Sequence, residues 1–144
     1  MKKFFYFILA AVTMTLAACG PNEQNDPTDV PTQDQLKNFS VQVNVIAPDD
    51  VVAKITSTDQ DIYFEYGHTE VENFSKFGTR EFLQKWLKEE FSDYTYPDEL
   101  HQGEYLSHPN VEPGHKYIMS IFQVGPDYTI VGDIEYKLFE TPAK

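Results

Sequence analysis

The sequence predicts an all-β fold: a β-sandwich of about seven strands with a helical insertion. Three observations predict it. Short segments alternate apolar and polar residues with period two, and turn residues separate them. One block near residues 70–102 changes to a period of about three and a half. The segment from Tyr117 to Val124 is apolar on both faces, so it needs a cover on each side.

The chain begins with Lys2 and Lys3, an apolar run from Phe4 to Leu16, and the small-residue ending Leu16-Ala17-Ala18-Cys19. A basic start, an apolar centre and a small-residue end form a secretory signal peptide over 1–18, too short to read first as a membrane span. The LAAC ending followed by Gly20 resembles a bacterial lipobox. The resemblance implies cleavage before Cys19, a diacylglyceryl thioether on its sulfur and acylation of the new amine (a palmitate-type chain). The membrane is then a partner through the N-terminal lipid, because two or more acyl chains anchor stably where one is marginal. Gly20 in place of aspartate implies, by the same resemblance, an outer-membrane address, periplasmic or surface-exposed. Glu23 and Asp26 resemble the acidic export signals of surface lipoproteins in the Bacteroides group. Cys19 is the only cysteine. Once lipidated it leaves no thiol for a disulfide, a nucleophile or a metal.

Residues 20–38, GPNEQNDPTDVPTQDQLKN, are rich in Pro, Asn, Gln and Asp. So few apolar groups cannot offset the entropy of ordering, and 19–38 is expected to be a lipidated cysteine and a disordered tether. The chain carries Lys+Arg 11 against Asp+Glu 23, a net charge of −12. That balance opposes nucleic-acid binding, which needs basic groups against phosphate.

The domain is expected over 39–144. Phe39–Ile46 alternates cleanly and reads as a strand with one wet face. Pro48-Asp49-Asp50 turns into a second strand, Val51–Ser57. Thr58–Asp61 turns into a third, Ile62–Tyr66, and the three read as an antiparallel meander. Thr69-Glu70-Val71-Glu72 fits a capping box for a short helix that ends at Gly78 as its C′ residue. Thr79 caps a longer helix from Arg80 to about Phe91. Phe82, Leu83, Trp86, Leu87 and Phe91 form its apolar stripe, and Glu81, Gln84, Lys85, Lys88 and Glu89 its polar face. Pro97–Leu100 suggests one more helical turn, stopped by Gly103, and Tyr105–Val111 a short strand. Thr129–Phe139 is the last strand, with a bulge at Gly132.

Before the two-faced strand stand Val111, Pro113, Gly114 and Tyr117. Proline presets φ and glycine accepts the positive φ of a type II turn. The spacing resembles the tyrosine corner of fibronectin type III and immunoglobulin-like domains. There an apolar plug and a turn precede a tyrosine whose hydroxyl bonds the backbone a few residues upstream. With ITSTDQDIYFEYG, the Phe74–Gly103 insertion and the terminal FET, the chain resembles Bacteroides-type lipoproteins that carry such a sandwich with a helical insertion. Most of that group has no assigned activity.

The leading functional expectation is a non-enzymatic binding or accessory module for a protein or glycan partner. A protease-inhibitor or pro-domain-like partner is one alternative and a small hydrolase another. No catalytic residue, cofactor or metal site is expected. His68, His101, His108 and His115 show no ligand spacing such as HExxH. His101 and His108 meeting Glu99 or Glu104 around an ion is the one arrangement open, against solvated loop histidines. Asp49-Asp50 and Asp59-x-Asp61 fit turns better than calcium loops. Tyr94, Tyr96, Tyr105 and Tyr128 are either a partner surface or rings closing the core under the insertion. Leu83, Trp86 and Leu87 either pack on Ile118, Phe122 and Val124 or stay exposed as a binding face.

Overall fold

The computed structural model describes residues 30–144; Cys19, the expected signal peptide and most of the expected tether lie outside it. The described chain forms seven strands in two antiparallel sheets. They are β1 (Phe39–Ala47), β2 (Asp50–Ser57), β3 (Tyr63–Glu70), β4 (His101–Gln102), β5 (Glu104–Ser107), β6 (Lys116–Gly125) and β7 (Thr129–Glu140). One sheet has the order β1-β2-β5 and the other β4-β3-β6-β7. The expected three-strand meander is therefore corrected. β2 and β3 are consecutive but lie in different sheets, because Phe64 must bury its ring against Phe39, Ala53 and Ile55.

The sheets enclose one apolar layer, in which Phe39, Ala53 and Ile55 meet Phe64, Met119 and Ile121. A second layer lies on the other face of the larger sheet. Helix α2 (Arg80–Glu90) sets Leu83 and Leu87, with Phe91 just beyond, against Phe122, Val124, Ile130 and Ile134. Strand β6 lies between the two layers, and Tyr117 through Phe122 are all buried. Of the expected contacts, Leu83 and Leu87 share a buried cluster with Phe122 and Val124, Trp86 packs there half-buried, and Ile118 is buried outside that cluster. Each fully buried Leu or Phe side chain contributes on the order of 1.5–3 kcal/mol. The insertion is thus a third layer of the domain.

Local chemistry sets the insertion's shape. The Thr79 hydroxyl accepts from Phe82 N at 3.2 Å and caps α2 as expected. The Thr69–Glu72 box does not form. β3 continues through Glu70, and the 3-10 turn Val71–Asn73 has no side-chain cap. After it, α1 (Phe74–Phe77) ends at Gly78, whose φ is −109°. No left-handed C′ residue is used there; a side chain on Gly78 would instead strike the Phe74 ring. Gln84, expected on the wet face, turns to β7, donating to Tyr128 O at 2.9 Å and accepting from Ile130 N at 2.8 Å. Arg80 donates to Ile130 O and Gly132 O. These bonds satisfy backbone that β7 leaves open beside its bulge. From Ile121↔Glu135 to Gln123↔Val131 the register shifts, with Gly132 at φ +72°. Pro97–Leu100 is a pair of turns closed by Asp98 N to Thr95 O and Leu100 N to Pro97 O, not a helical turn.

The tether boundary also moves. Residues expected to be disordered up to Asn38 are bound to β7. Gln35 and Tyr136 exchange backbone hydrogen bonds of 2.9 and 3.0 Å. Asp34 accepts from Leu138 N and from Lys137 Nζ. The buried Glu135 carboxylate accepts from the N–H groups of Lys37, Asn38 and Phe39. Composition predicted disorder because the segment offers little apolar surface; polar bonds to a sheet edge hold it instead.

Candidate functional site

An open groove of about 620 Å³ runs between β3 and α2. Its aromatic wall comes from the insertion. Phe77 and Phe82 meet edge-on at 5.3 Å, Trp86 is half-buried, and Tyr94 leans on Phe91 with 48% of its surface exposed. Its floor comes from β3, where Gly67 has no side chain to fill the space below Leu83.

Glu65 lies at the floor with only 8% of its surface exposed. Strand β4 pairs only with Tyr63 and Phe64. The Tyr66 N–H beyond it donates to Glu65 Oε1 at 3.1 Å. The same oxygen is 3.2 Å from His101 Nε2. His101 stacks on Tyr105 at 3.7 Å and lies tilted against Tyr66 at 5.8 Å. Burial, then the Tyr105 phenol beside it, pushes the Tyr66 hydroxyl up to about 12. The pair Glu65–His101 is therefore held by packing on one side and open to the groove on the other. Glu90 and Glu99 add two more carboxylates to the lining, and among the described residues no Lys, Arg, Ser, Thr or Cys lines it. Chemically the groove is acidic and aromatic. It can accept hydrogen bonds and stack a flat or cationic group, and its hydroxyls among the described residues are the phenols of Tyr66 and Tyr94.

The tyrosines expected as one surface separate. Tyr94 stands at the groove's rim. Tyr128 is only 5% exposed; it stacks on Phe91 at 4.8 Å and donates to Asp98 O. Tyr96 donates to Val124 O and packs against Tyr63 and Tyr128. Tyr105 lies half-buried against His101. For Tyr96 and Tyr128 the partner-surface reading is corrected: their rings close the core under the insertion.

Val111, Glu112 and Tyr117 line a second cleft of about 360 Å³ with His68 and Glu70. Gly114 has φ +74° and donates its N–H to Pro142 O. The Tyr117 hydroxyl accepts from Glu112 N at 2.7 Å, and its ring stacks on Phe139. Burial, outweighing the Glu112 N–H, raises the Tyr117 hydroxyl above its ordinary value. The loop histidines are not all solvated: His101 is held by Glu65, and His115 Nδ1 lies 3.0 Å from Glu70. His101 and His108 do not come together with Glu99 or Glu104 in a metal-ligand group among the described residues. Asp59 accepts from Asp61 N, an Asx turn.

Sequence reasoning missed Glu65. A signal was present, since it is the one charge in the strand Ile62-Tyr63-Phe64-Glu65-Tyr66, on the face that the insertion must cover. Comparison with protein-family models, with curated proteins and with solved structures gives no match.

Proposed function

We propose that this chain is an envelope-anchored, non-enzymatic binding module whose groove receives a basic segment of a protein partner. One observation carries the reading: half-exposed aromatic rings and the carboxylates of Glu65, Glu90 and Glu99 line one groove that, among the described residues, contains no Lys or Arg. Such a surface complements a Lys or Arg side chain, with cation–π attraction of about 0.5–2 kcal/mol added to the ion pairing. The anchor rests on the lipobox resemblance at Cys19 and implies an outer-membrane site. The sheet orders β1-β2-β5 and β4-β3-β6-β7, with the Tyr117–Glu112 bond at the corner, support a fibronectin type III or immunoglobulin-like identity.

Trp86, the only tryptophan, reports on the groove directly. Titration with a library of short basic peptides is expected to shift and protect its fluorescence in a salt-sensitive way. Glu65→Gln and Glu90→Gln are expected to weaken the response about tenfold, near 1.4 kcal/mol. A response to neutral oligosaccharides alone would transfer the groove to a glycan partner. No response to either would remove the groove from the proposal.

A second reading, a small hydrolase, has one observation in favour, the Glu65–His101 pair facing the groove. A carboxylate-oriented imidazole can activate water as a general base. It requires turnover of an ester or amide probe that His101→Ala abolishes.

A further inference from the structure

The second cleft holds a constellation that the groove does not use. Glu70, Glu112 and His115 each present one ligand atom, and the three atoms lie within 4.8 Å of one another. His115 Nδ1 is 3.0 Å from Glu70, and its Nε2 is 3.8 Å from Glu112. A neutral imidazole has one N–H. It can donate to one carboxylate; toward the other it presents a lone pair. Two anionic oxygens and a Lewis-basic nitrogen then face one another, and a cation between them would relieve the repulsion.

The backbone under these side chains is fixed from three directions. Glu70 pairs with Tyr117 across β3 and β6. Glu112 donates its N–H to the Tyr117 hydroxyl and accepts from Thr141 Oγ1 at 2.6 Å. His115 donates its N–H to Thr141 Oγ1 and accepts from Thr141 N. Glu112 is the most exposed of the three side chains, so it has room to swing inward. Four-coordinate zinc needs ligand bonds of about 2.0–2.2 Å, which that movement can supply. The adjoining cleft, lined by Glu70 and Glu112, opens the cluster to solvent.

We propose that Glu70, Glu112 and His115 form a binding site for a divalent transition-metal ion of the zinc class. One imidazole nitrogen with two carboxylates suits Zn²⁺, Cu²⁺ or Ni²⁺, whereas Ca²⁺ and Mg²⁺ prefer all-oxygen sets. The bound ion would tie the end of β3 to the corner loop.

The test is Zn²⁺ titration of the chelator-treated full chain by calorimetry and thermal unfolding. Cys19→Ser is introduced so that the only thiol does not contribute. One ion per chain and a zinc-dependent rise in Tm are expected, with Ca²⁺ and Mg²⁺ much weaker. His115→Ala and Glu112→Gln, at an exposed side chain, are each expected to lower affinity at least tenfold, while His108→Ala leaves it unchanged. Zinc without effect up to millimolar concentration would overturn the site. So would undiminished binding by Glu112→Gln and His115→Ala, or equal response to Ca²⁺ and Zn²⁺.

Discussion

Two side chains decide how the ends of the domain are held. At the corner, Tyr117 offers its hydroxyl oxygen to the Glu112 N–H. Removing the hydroxyl leaves that N–H without its acceptor, which costs about 1–3 kcal/mol. Tyr117→Phe is therefore expected to lower the urea midpoint with an unchanged slope. An unmoved midpoint would mean that the bond contributes nothing. At the other end stands Asp34. Burial alone would raise its carboxyl, but the Leu138 N–H and the Lys137 ammonium outweigh burial and hold it below its ordinary value. The folded chain then binds this proton less tightly than the unfolded chain does. The contact adds stability above the ordinary carboxyl value of about 3.9 and loses it as pH falls through the lower folded value. Protection of the Leu138 amide, followed by NMR, should persist to about pH 4 and decline below it. In Asp34→Asn that pH dependence should disappear; if it persists, another group is responsible.

At the scale of elements, α1 and α2 pack because one glycine makes room. At φ −109° an alanine is conformationally acceptable, and such exchanges commonly stabilise by about 0.4–1 kcal/mol. At Gly78 the added carbon would fall 2.2 Å from Phe74, whose ring is fully buried. Overpacking costs about 1–3 kcal/mol and outweighs the entropy gain. Gly78→Ala is expected to lower Tm; a higher Tm would show that the Phe74 ring can move aside. At this scale much was legible in the sequence. The period change marked α2, Thr79 marked its start, and the two-faced apolar pattern of β6 demanded the cover that α2 provides. Those signals are local, or require only that apolar surface be buried. The sheet partner of β3 was not legible, because alternation specifies a face and not a neighbour. Neither Gln84 on β7 nor Glu135 beneath residues 37–39 was legible. A polar residue bonding distant backbone has the same local pattern as one bonding water. The groove was legible in part: Trp86 and Tyr94 stood out, while Glu65 and His101, 36 positions apart, meet only through the β3–β4 pairing.

For the whole molecule, three layers place β6 at the centre and the groove at one side of the sheet–helix layer. The proposed anchor is separable from that body. Cys19→Ala is expected to abolish acyl labelling and leave an uncleaved or soluble form, with Tm of the domain unchanged. Membrane partition without a lipid label would sink the lipobox assignment. If the chain is held at Cys19, any pull on the body enters at Asp34–Phe39. Gln35 lies antiparallel to β7, and its hydrogen bonds run across the direction of pull. They and the three N–H bonds on Glu135 are then loaded together in shear rather than opened one at a time. The Glu135 carboxylate and the Gln35–Tyr136 pair would share that load, and Leu36 and Phe39, which belong to the sheet–sheet layer, would carry it into the core.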